Sequence, residues 1–433
     1  MEIIFSCDYL GTAFALLFSA MWILVMISSF EYMNHEGNKR FFYCFYLLSY
    51  MTVMAACFAG NFFTFYCCFE AMTVLSMPMV LHSRSHESIM AALKYLFYSM
   101  GGAFLTLFGF FLFTAEGYDL RFTAGGSIGV LSLSEMELFA VFLMIIGFGA
   151  KAGMFPLHAW LPTAHPVAPA PASAFLSGVI TKVGVLGIIR TVFYLVGEVN
   201  LKGSWVQYSW IILSLITVFM GSMMAYGENV LKKRLAYSTV SQVSYILFGL
   251  SLLEPLAFVG ALMHVVFHSI VKNTLFMSAG SIILKSGKHE VSLLAGLGKK
   301  MPLTFFCFTL VSITLIGIPP TSAFISKWYL CIGALKSGIP FVRWLGPAVL
   351  LVSALLTAGY LLTVSIKAYL PGEAVSEEIE KGSLDGIEDP GRGMIIPLLI
   401  MTVFAVGFGI YPKILTDAFS AIAESVFAMK GAI

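Results

Sequence analysis

The chain has 433 residues, of which 59% are hydrophobic and only 11% are charged, and its formal net charge is +2. A soluble domain carries about 25% charged residues, so this composition excludes a soluble globular protein, and the near-neutral charge gives no indication of a nucleic-acid partner. The apolar stretches are long and near-continuous, which excludes the alternating pattern of a membrane β-barrel and predicts an all-α bundle of membrane helices.

Stretches of about 20 apolar residues mark helices that can cross a bilayer. The first stretch is too long for the core of a signal peptide and follows no basic segment, so we interpret it as a retained helix. The sequence therefore predicts a polytopic bundle of about 12 spans. In chain order they are residues 9–30, 41–59, 61–81, 89–114, 136–162, 168–196, 206–227, 232–252, 255–284, 302–335, 345–370 and 394–415.

Two of these segments are too long to be single straight helices. The first, 136–162, contains Pro156, and the second, 302–335, contains Pro319 and Pro320. Proline removes a backbone donor and clashes with the preceding turn, so both segments are predicted to be broken helices. They are the fifth and tenth segments of the chain. This spacing predicts two inverted five-helix repeats, each with one broken helix, and paired interruptions of this kind point to ion sites at the breaks.

The predicted organisation has five parts, and loop charge predicts its orientation. Basic residues concentrate in the loops of one side, which is therefore predicted to be cytoplasmic, with both termini on the opposite side. The acidic loop is interpreted as a solvated linker, with docking of a partner as the alternative. The parts are an N-terminal helix (1–40), the two repeats (41–196 and 206–370), the acidic loop (371–393) and a C-terminal helix (394–433).

The cysteines give no indication of a metal or redox site. None of the seven belongs to a CxxC motif or to a cysteine–histidine spacing typical of metal binding. Nearly all lie in apolar stretches, so we interpret them as buried packing residues. The sequence also has no flavin, haem, iron–sulfur or phosphate-loop motif, and we expect no cofactor and no redox catalysis on this chain.

Eight ionisable residues lie inside the apolar segments, where a charge is costly and usually marks an ion pathway. Glu70 is mid-segment, and a protonated, hydrogen-bonded glutamate is the structural alternative to a functional one. Burial disfavours a charged lysine and a nearby carboxylate favours it, so a lysine under both influences can bind and release a proton. The eight residues are Glu70, Lys94, Lys151, Lys182, His264, His268, Lys272 and Lys327.

The four isolated lysines differ in their distance from the segment ends. Lys151 lies at the first break and Lys327 follows the second, so both are predicted to lie deep in the membrane. Lys182 has at least ten span residues on each side, and its ammonium group is therefore hard to extend to the interface. Lys94 lies one to two turns into its segment, where reaching the interface and a functional role are equally compatible with the pattern.

His264, His268 and Lys272 recur at every fourth residue, which places them on one helix face about 6 Å apart. A titratable stripe of this kind suits proton transfer, because histidine changes charge near physiological pH. A metal shared by the two histidines is the rival interpretation, although no third ligand is evident nearby.

Several motifs resemble the antiporter-like subunits of respiratory complex I, a family that includes subunits of Mrp cation/proton antiporters and of membrane-bound hydrogenases. The resemblance covers about residues 25–370. It is carried by Gly-Ala-Lys-Ala-Gly-Met-Phe-Pro-Leu-His-Ala-Trp-Leu-Pro-Thr-Ala-His at 149–165, by the stretch 170–185, and by shorter matches at 69–70, 91–95, 233–238 and 324–327.

The resemblance implies a role for each matching position. Glu70 corresponds to a glutamate that pairs with the broken-helix lysine, here Lys151, and Lys182 to a connecting lysine. The histidine stripe corresponds to the central relay. Lys327 corresponds to the terminal residue of the pathway.

These observations lead to one functional hypothesis and three rivals. The chain is predicted to be a proton- or sodium-translocating subunit of a redox-driven complex in the cytoplasmic membrane of a prokaryote. Its partners would be other membrane subunits, some of which would carry iron–sulfur or flavin cofactors. The alternatives are a subunit of an Mrp-type Na⁺/H⁺ antiporter without redox partners, a structural scaffold, and a quinone-site subunit.

Overall fold

The chain forms a helical bundle in the computed structural model, which describes residues 2–129, 132–371 and 384–427. Within these ranges β structure is limited to three isolated bridges. The main helices are α1 (Tyr9–Tyr32), α2 (Lys39–Cys57), α3 (Phe62–Val80), α4 (His86–Ala115), α5 (Glu135–Ala152), α6 (Leu161–Val167), α7 (Ala170–Val196), α8 (Trp205–Gly227), α9 (Leu231–Ser251), α10 (Pro255–Ser286), α11 (Pro302–Ile316), α12 (Ser322–Lys336), α13 (Pro340–Tyr369), α14 (Arg392–Ile410) and α15 (Lys413–Phe427).

The all-α, polytopic prediction is confirmed. In the described ranges nine helices are long and apolar enough to cross a membrane: α1–α4, α7, α8, α10, α13 and α14. Three further predicted spans are outside this set. One is α9, which is rich in serine and other polar residues, and the other two are the broken helices. The count of twelve therefore stays a prediction.

Both predicted interruptions are present. Helix α5 ends at Gly153 and helix α11 at Gly317, and both glycines have positive φ angles, +87° and +90°. Glycine adopts this left-handed conformation without a Cβ penalty, which makes it a common helix terminator. Each interruption falls in the fourth helix of its predicted repeat, an arrangement that favours the two-repeat interpretation, which stays a prediction.

Helices α7 and α10 form the centre of the bundle. The most apolar stretch of α7 is wholly buried and that of α10 is 89% buried, whereas only 33% of the corresponding stretch of α2 is buried. Close packing explains part of this difference. A Cβ on Gly184 of α7 would lie 2.8 Å from the Phe148 carbonyl oxygen of α5, so only glycine allows the two backbones to approach this closely. Polar residues of α7 and α10 are therefore surrounded by protein.

The segment predicted as one C-terminal helix contains two. Helix α14 ends at Ile410 and α15 begins at Lys413, because Pro412 cannot continue the hydrogen bonding of the preceding helix. Helix α15 packs against α10. Most of the acidic loop, 372–383, lies outside the described residues. Its described end is docked, because the Asp389 carboxylate accepts hydrogen bonds from the first backbone N–H groups of α11.

Candidate ion pathway

Lys151 is wholly buried in the last turn of α5. Its Nζ donates hydrogen bonds to the Tyr95 hydroxyl at 3.0 Å and to Ser99 Oγ at 2.8 Å, both on α4. The rings of Tyr95 and Trp160 lie 4.4 and 6.0 Å from Nζ, so aromatic faces complete the surroundings. This buried amine is thus held by neutral hydroxyl groups and not by a carboxylate.

Glu70 does not make the direct pair with Lys151 that the resemblance implies. The ion pairs in the described ranges do not include these two residues. The Glu70 side chain is half-buried, and its Oε1 has no hydrogen-bond partner among the described residues. The two charges still interact through space. They are not in contact because Tyr95 and Ser99 hold the lysine amine instead.

Lys182 and His268 are in direct contact across the interface between α7 and α10. Lys182 Nζ lies 2.6 Å from His268 Nδ1 and donates to the Ser177 carbonyl oxygen at 2.5 Å. Ser177 belongs to a π-helical turn, 176–180, which ends two residues before Lys182. Such turns occur often at functional sites. Two residues predicted from separate segments therefore form one buried pair.

The histidine stripe continues this pair toward the second break. The His264 and His268 rings are stacked, with centroids 6.1 Å apart. His264 Nδ1 lies 2.8 Å from Ser326 Oγ, and Ser326 directly precedes Lys327. Within the described part of the chain, the Nε2 atoms of both histidines are buried and have no hydrogen-bond partner. A buried nitrogen is costly to leave without a hydrogen bond. A water molecule beside each Nε2 atom would satisfy it and could exchange a proton with it.

Lys327 lies at the far end of this row. Its Nζ donates to the carbonyl oxygens of Leu315 at 2.7 Å and Ile316 at 3.0 Å, which are the last carbonyls of α11. The Tyr245 ring lies 4.9 Å from Nζ and also stacks on the His264 ring at 5.6 Å. We call the set Lys182, His268, His264 and Lys327, with its connecting contacts, the central row.

Besides Glu70 and Lys151, two further predicted site residues, Lys94 and Lys272, lie outside the central row. Lys272 is wholly buried, but its Nζ donates to the Leu235 carbonyl oxygen of α9 at 3.0 Å. Lys94 is half-exposed and lines a groove on the outer surface with Glu87 and Phe97. Of the eight predicted residues, Lys94 is therefore the one that faces outward.

His165 is a buried titratable residue that the sequence analysis did not single out. It lies on α6, both ring nitrogens lack a hydrogen-bond partner in the described part of the chain, and its ring stacks on Phe276 of α10 at 4.6 Å. The residue is part of the motif at 149–165. Its depth was not predictable, because it depends on how the chain folds back after the break.

The described residues contain no group of three or more histidine, cysteine, aspartate or glutamate side chains arranged to hold a metal ion. The histidine pair is unsuited to one for a further reason. His268 Nδ1 lies against the Lys182 amine, and a cation beside a ligand atom opposes metal binding.

Comparison with known proteins places this arrangement in a family. Residues 59–357 match the family described as NADH:quinone oxidoreductase/Mrp antiporter, membrane region. The chain is 33% identical over 383 residues to NADH-quinone oxidoreductase subunit N of Desulforudis audaxviator, covering 86% of this chain and 74% of the relative. It is 35% identical to Hydrogenase-4 component B of Escherichia coli, covering 74% of this chain and 49% of that longer protein.

Solved structures share the fold. A chain of the Mrp complex from a Dietzia species superposes with a TM-score of 0.85 at 23% identity, covering 99% of this chain and 86% of the other. A chain of respiratory complex I from Thermus thermophilus superposes with a TM-score of 0.82 at 21% identity, covering 98% and 86%. Both belong to multisubunit membrane complexes. The chain therefore belongs to the NADH:quinone oxidoreductase/Mrp antiporter family and is a multi-pass, antiporter-like membrane subunit.

Proposed function

We propose that this chain transfers protons across the membrane, as one subunit of a redox-driven complex, by way of Lys151 and the central row. The observation that carries the proposal is the contact between Lys182 and His268. It joins α7 to α10 at the buried centre of the bundle, where an unused ammonium–imidazole pair would be a poor choice for stability alone.

The central row supplies groups that both accept and donate protons. A proton that passes from the Lys182 ammonium to His268 Nδ1 leaves a neutral amine and an imidazolium. The free Nε2 atoms of His268 and His264 allow the next transfer through a bridging water, and Ser326 connects His264 to the helix that carries Lys327. The row thus has the chemistry of a proton relay.

Lys151 is the residue at which the driving reaction can change proton affinity. A carboxylate stabilises an ammonium group more strongly than two hydroxyls do. Movement of the Lys151 amine from Glu70 to Tyr95 and Ser99 would therefore favour release of its proton toward Lys182. Separating opposite charges inside a protein costs energy, so this movement requires an energy source in a partner subunit.

The driving reaction is proposed from the relatives. Those named above include an NADH-quinone oxidoreductase subunit and a hydrogenase component. By this proposal, iron–sulfur or flavin cofactors lie on partner subunits. The complex lies in the cytoplasmic membrane of a prokaryote, and the face bearing the basic loops is cytoplasmic.

The test is Lys182→Met in the assembled complex, with Lys202→Met in an exposed loop as the matched control. Redox-driven proton uptake by inverted vesicles should fall about a hundredfold in the first variant, the scale of a lost proton-transfer group, and stay normal in the second. Normal uptake by Lys182→Met would refute the proposal. Uptake that follows an imposed Na⁺ gradient and needs no redox substrate would favour the exchanger instead.

A further inference from the structure

A polar pocket of about 190 Å³ opens on the face that loop charge predicts to be cytoplasmic. It lies where the loops after α1, α3, α6 and α10 meet. Five titratable side chains line it: Tyr32, Glu36, His82, Lys232 and His289. The central row contains none of them, and they come from four separate segments of the chain.

Lys232 is buried, with only 6% of its surface exposed. Its Nζ donates to the Ala168 carbonyl oxygen at 2.9 Å. The adjacent Lys233 behaves differently, because 39% of its side chain is exposed and it pairs with Glu228 at 2.8 Å. Arg234 is also buried, but it donates to the Tyr360 carbonyl oxygen of α13, so Lys232 is the member of the basic cluster that lines this pocket.

His165 lies behind the pocket, three residues before Ala168. Its ring stacks on Phe276, which is one turn beyond Lys272 on the same face of α10. The Lys272 amine in turn donates to the carbonyl oxygen of Leu235, three residues after Lys232 on α9. His165 is thus linked on one side to the segment that Lys232 contacts and on the other to the helix that carries Lys272.

His165 packs against Phe276, but packing alone does not account for the state of its ring nitrogens. It is wholly buried, yet neither ring nitrogen has a partner among the described residues. A buried imidazole held only for packing would be expected to satisfy at least one nitrogen. Its two nitrogens allow it to take a proton on one side and release it on the other.

We propose that this pocket is the proton-access site on the predicted cytoplasmic face, with Lys232 at its inner end and His165 as the relay to Lys272. The inference rests on the proposed function, because it assumes that protons are the transferred ion. It also gives Lys272 a role, since its amine donates to a carbonyl oxygen of α9 one turn from Lys232.

The first test compares matched substitutions in the assembled complex. Lys232→Met and His165→Gln should each slow redox-driven proton uptake by about tenfold or more. Lys233→Met and the exposed His35→Gln should leave it unchanged. The access inference fails if the first two variants assemble and transport normally.

The second test avoids any effect on folding, because it acts on the assembled protein. Ser83 lines the pocket and is exposed, and Lys299 is exposed on the same face outside it. After assembly, Ser83→Cys and Lys299→Cys vesicles would be treated with a bulky, neutral, membrane-impermeant thiol reagent. Uptake should slow only in the Ser83→Cys vesicles, and equal uptake in both would overturn the inference.

The outcomes separate this inference from the proposed function. If Lys182→Met blocks uptake while the pocket variants do not, protons reach the central row by another route. If Lys182→Met transports normally, the proposed function itself is wrong.

Discussion

The two broken helices place a lysine at the same kind of site but hold it with different partners. Lys151 precedes the first break and donates to two side-chain hydroxyls of a neighbouring helix. Lys327 follows the second break and reaches back to two backbone carbonyls at the end of the preceding half-helix. The rule that a break attracts a cation is common to both, because the carbonyl end of a helix carries partial negative charge.

The difference lies in what each set of partners can do. Hydroxyl groups accept from an ammonium and donate to a neutral amine, so they suit both protonation states of Lys151. Carbonyl oxygens only accept, so they bind the ammonium form of Lys327 more strongly than its neutral amine. The first site therefore accommodates both protonation states of its lysine, and the second favours the protonated one.

The largest effects should come from Lys151→Met and Lys327→Met, each of which should lower proton uptake about a hundredfold. Their stabilities should differ. Lys327→Met leaves two buried carbonyls without a donor and should lose about 1–3 kcal/mol, whereas the Tyr95 hydroxyl at Lys151 keeps its existing hydrogen bond of 2.6 Å to Ser76 Oγ. Thermal unfolding of the purified complexes would measure the stability loss of each variant. Equal losses would contradict the expected difference between the two lysine sites.

Glu70→Gln should lower uptake by about tenfold, because Lys151 loses its electrostatic partner but keeps its hydroxyl partners. The unfolding temperature should stay the same, since Glu70 makes no ion pair in the described ranges. The matched control is Glu87→Gln, an exposed residue in the first turn of α4. Normal uptake by Glu70→Gln would show that the first break works without this carboxylate.

Tyr95→Phe removes one hydroxyl partner of Lys151, and uptake should fall severalfold with a stability loss of about 1 kcal/mol. The neighbouring Tyr98→Phe serves as control. If the two variants transport equally well, the Tyr95 hydroxyl does not take part in holding the amine. No equivalent side-chain truncation exists at Lys327, because its two partners are backbone atoms.

The smallest measurable loss of stability should come from Glu228→Gln. This variant measures what removing one charge costs outside the membrane segments, for comparison with the variants above. Burial acts to raise the pKa of Glu228, but hydrogen bonds from Lys233 and from backbone N–H groups hold that pKa below its usual value. The pair therefore stabilises the fold above about pH 4.3, the usual glutamate value, and the stabilisation is lost as pH falls through the lower folded value.

The expected loss at neutral pH is less than about 1 kcal/mol, as for a partly exposed pair. It would be measured as the difference in unfolding temperature between Glu228→Gln and the unmodified complex. That difference should disappear in acid. If the difference in unfolding temperature instead grew on acidification, Glu228 would have a pKa above, not below, its usual value in the folded protein.

Local pattern was enough to predict most of the helices, both breaks and the four titratable residues of the central row. Lys182 and His268 stand out because a charge inside an apolar stretch is visible without knowing what surrounds it. The hydrogen-bond partners of these charged residues could not be identified from the local sequence. The hydroxyls of Tyr95 and Ser99 gave no signal, and the Glu70–Lys151 pair was expected on resemblance alone.

The direction in which side chains extend from their helices was only partly predictable. Lys94 faces the outer surface, one of the two outcomes that the sequence left open, whereas the contact of Lys272 with α9 was not predicted. His165 became visible only once the chain after the first break was seen to fold back against α10. In each case the deciding contact is made by a different helix.

The π-helical turn before Lys182 makes the length of α7 as important as its composition. Such a turn holds one more residue than a regular one. Deleting Val179 would restore a regular helix and rotate the residues before it by about 100° relative to those after it. A single-codon deletion here would thus leave an apolar helix able to insert, yet turn the Ser177 carbonyl away from the lysine it anchors.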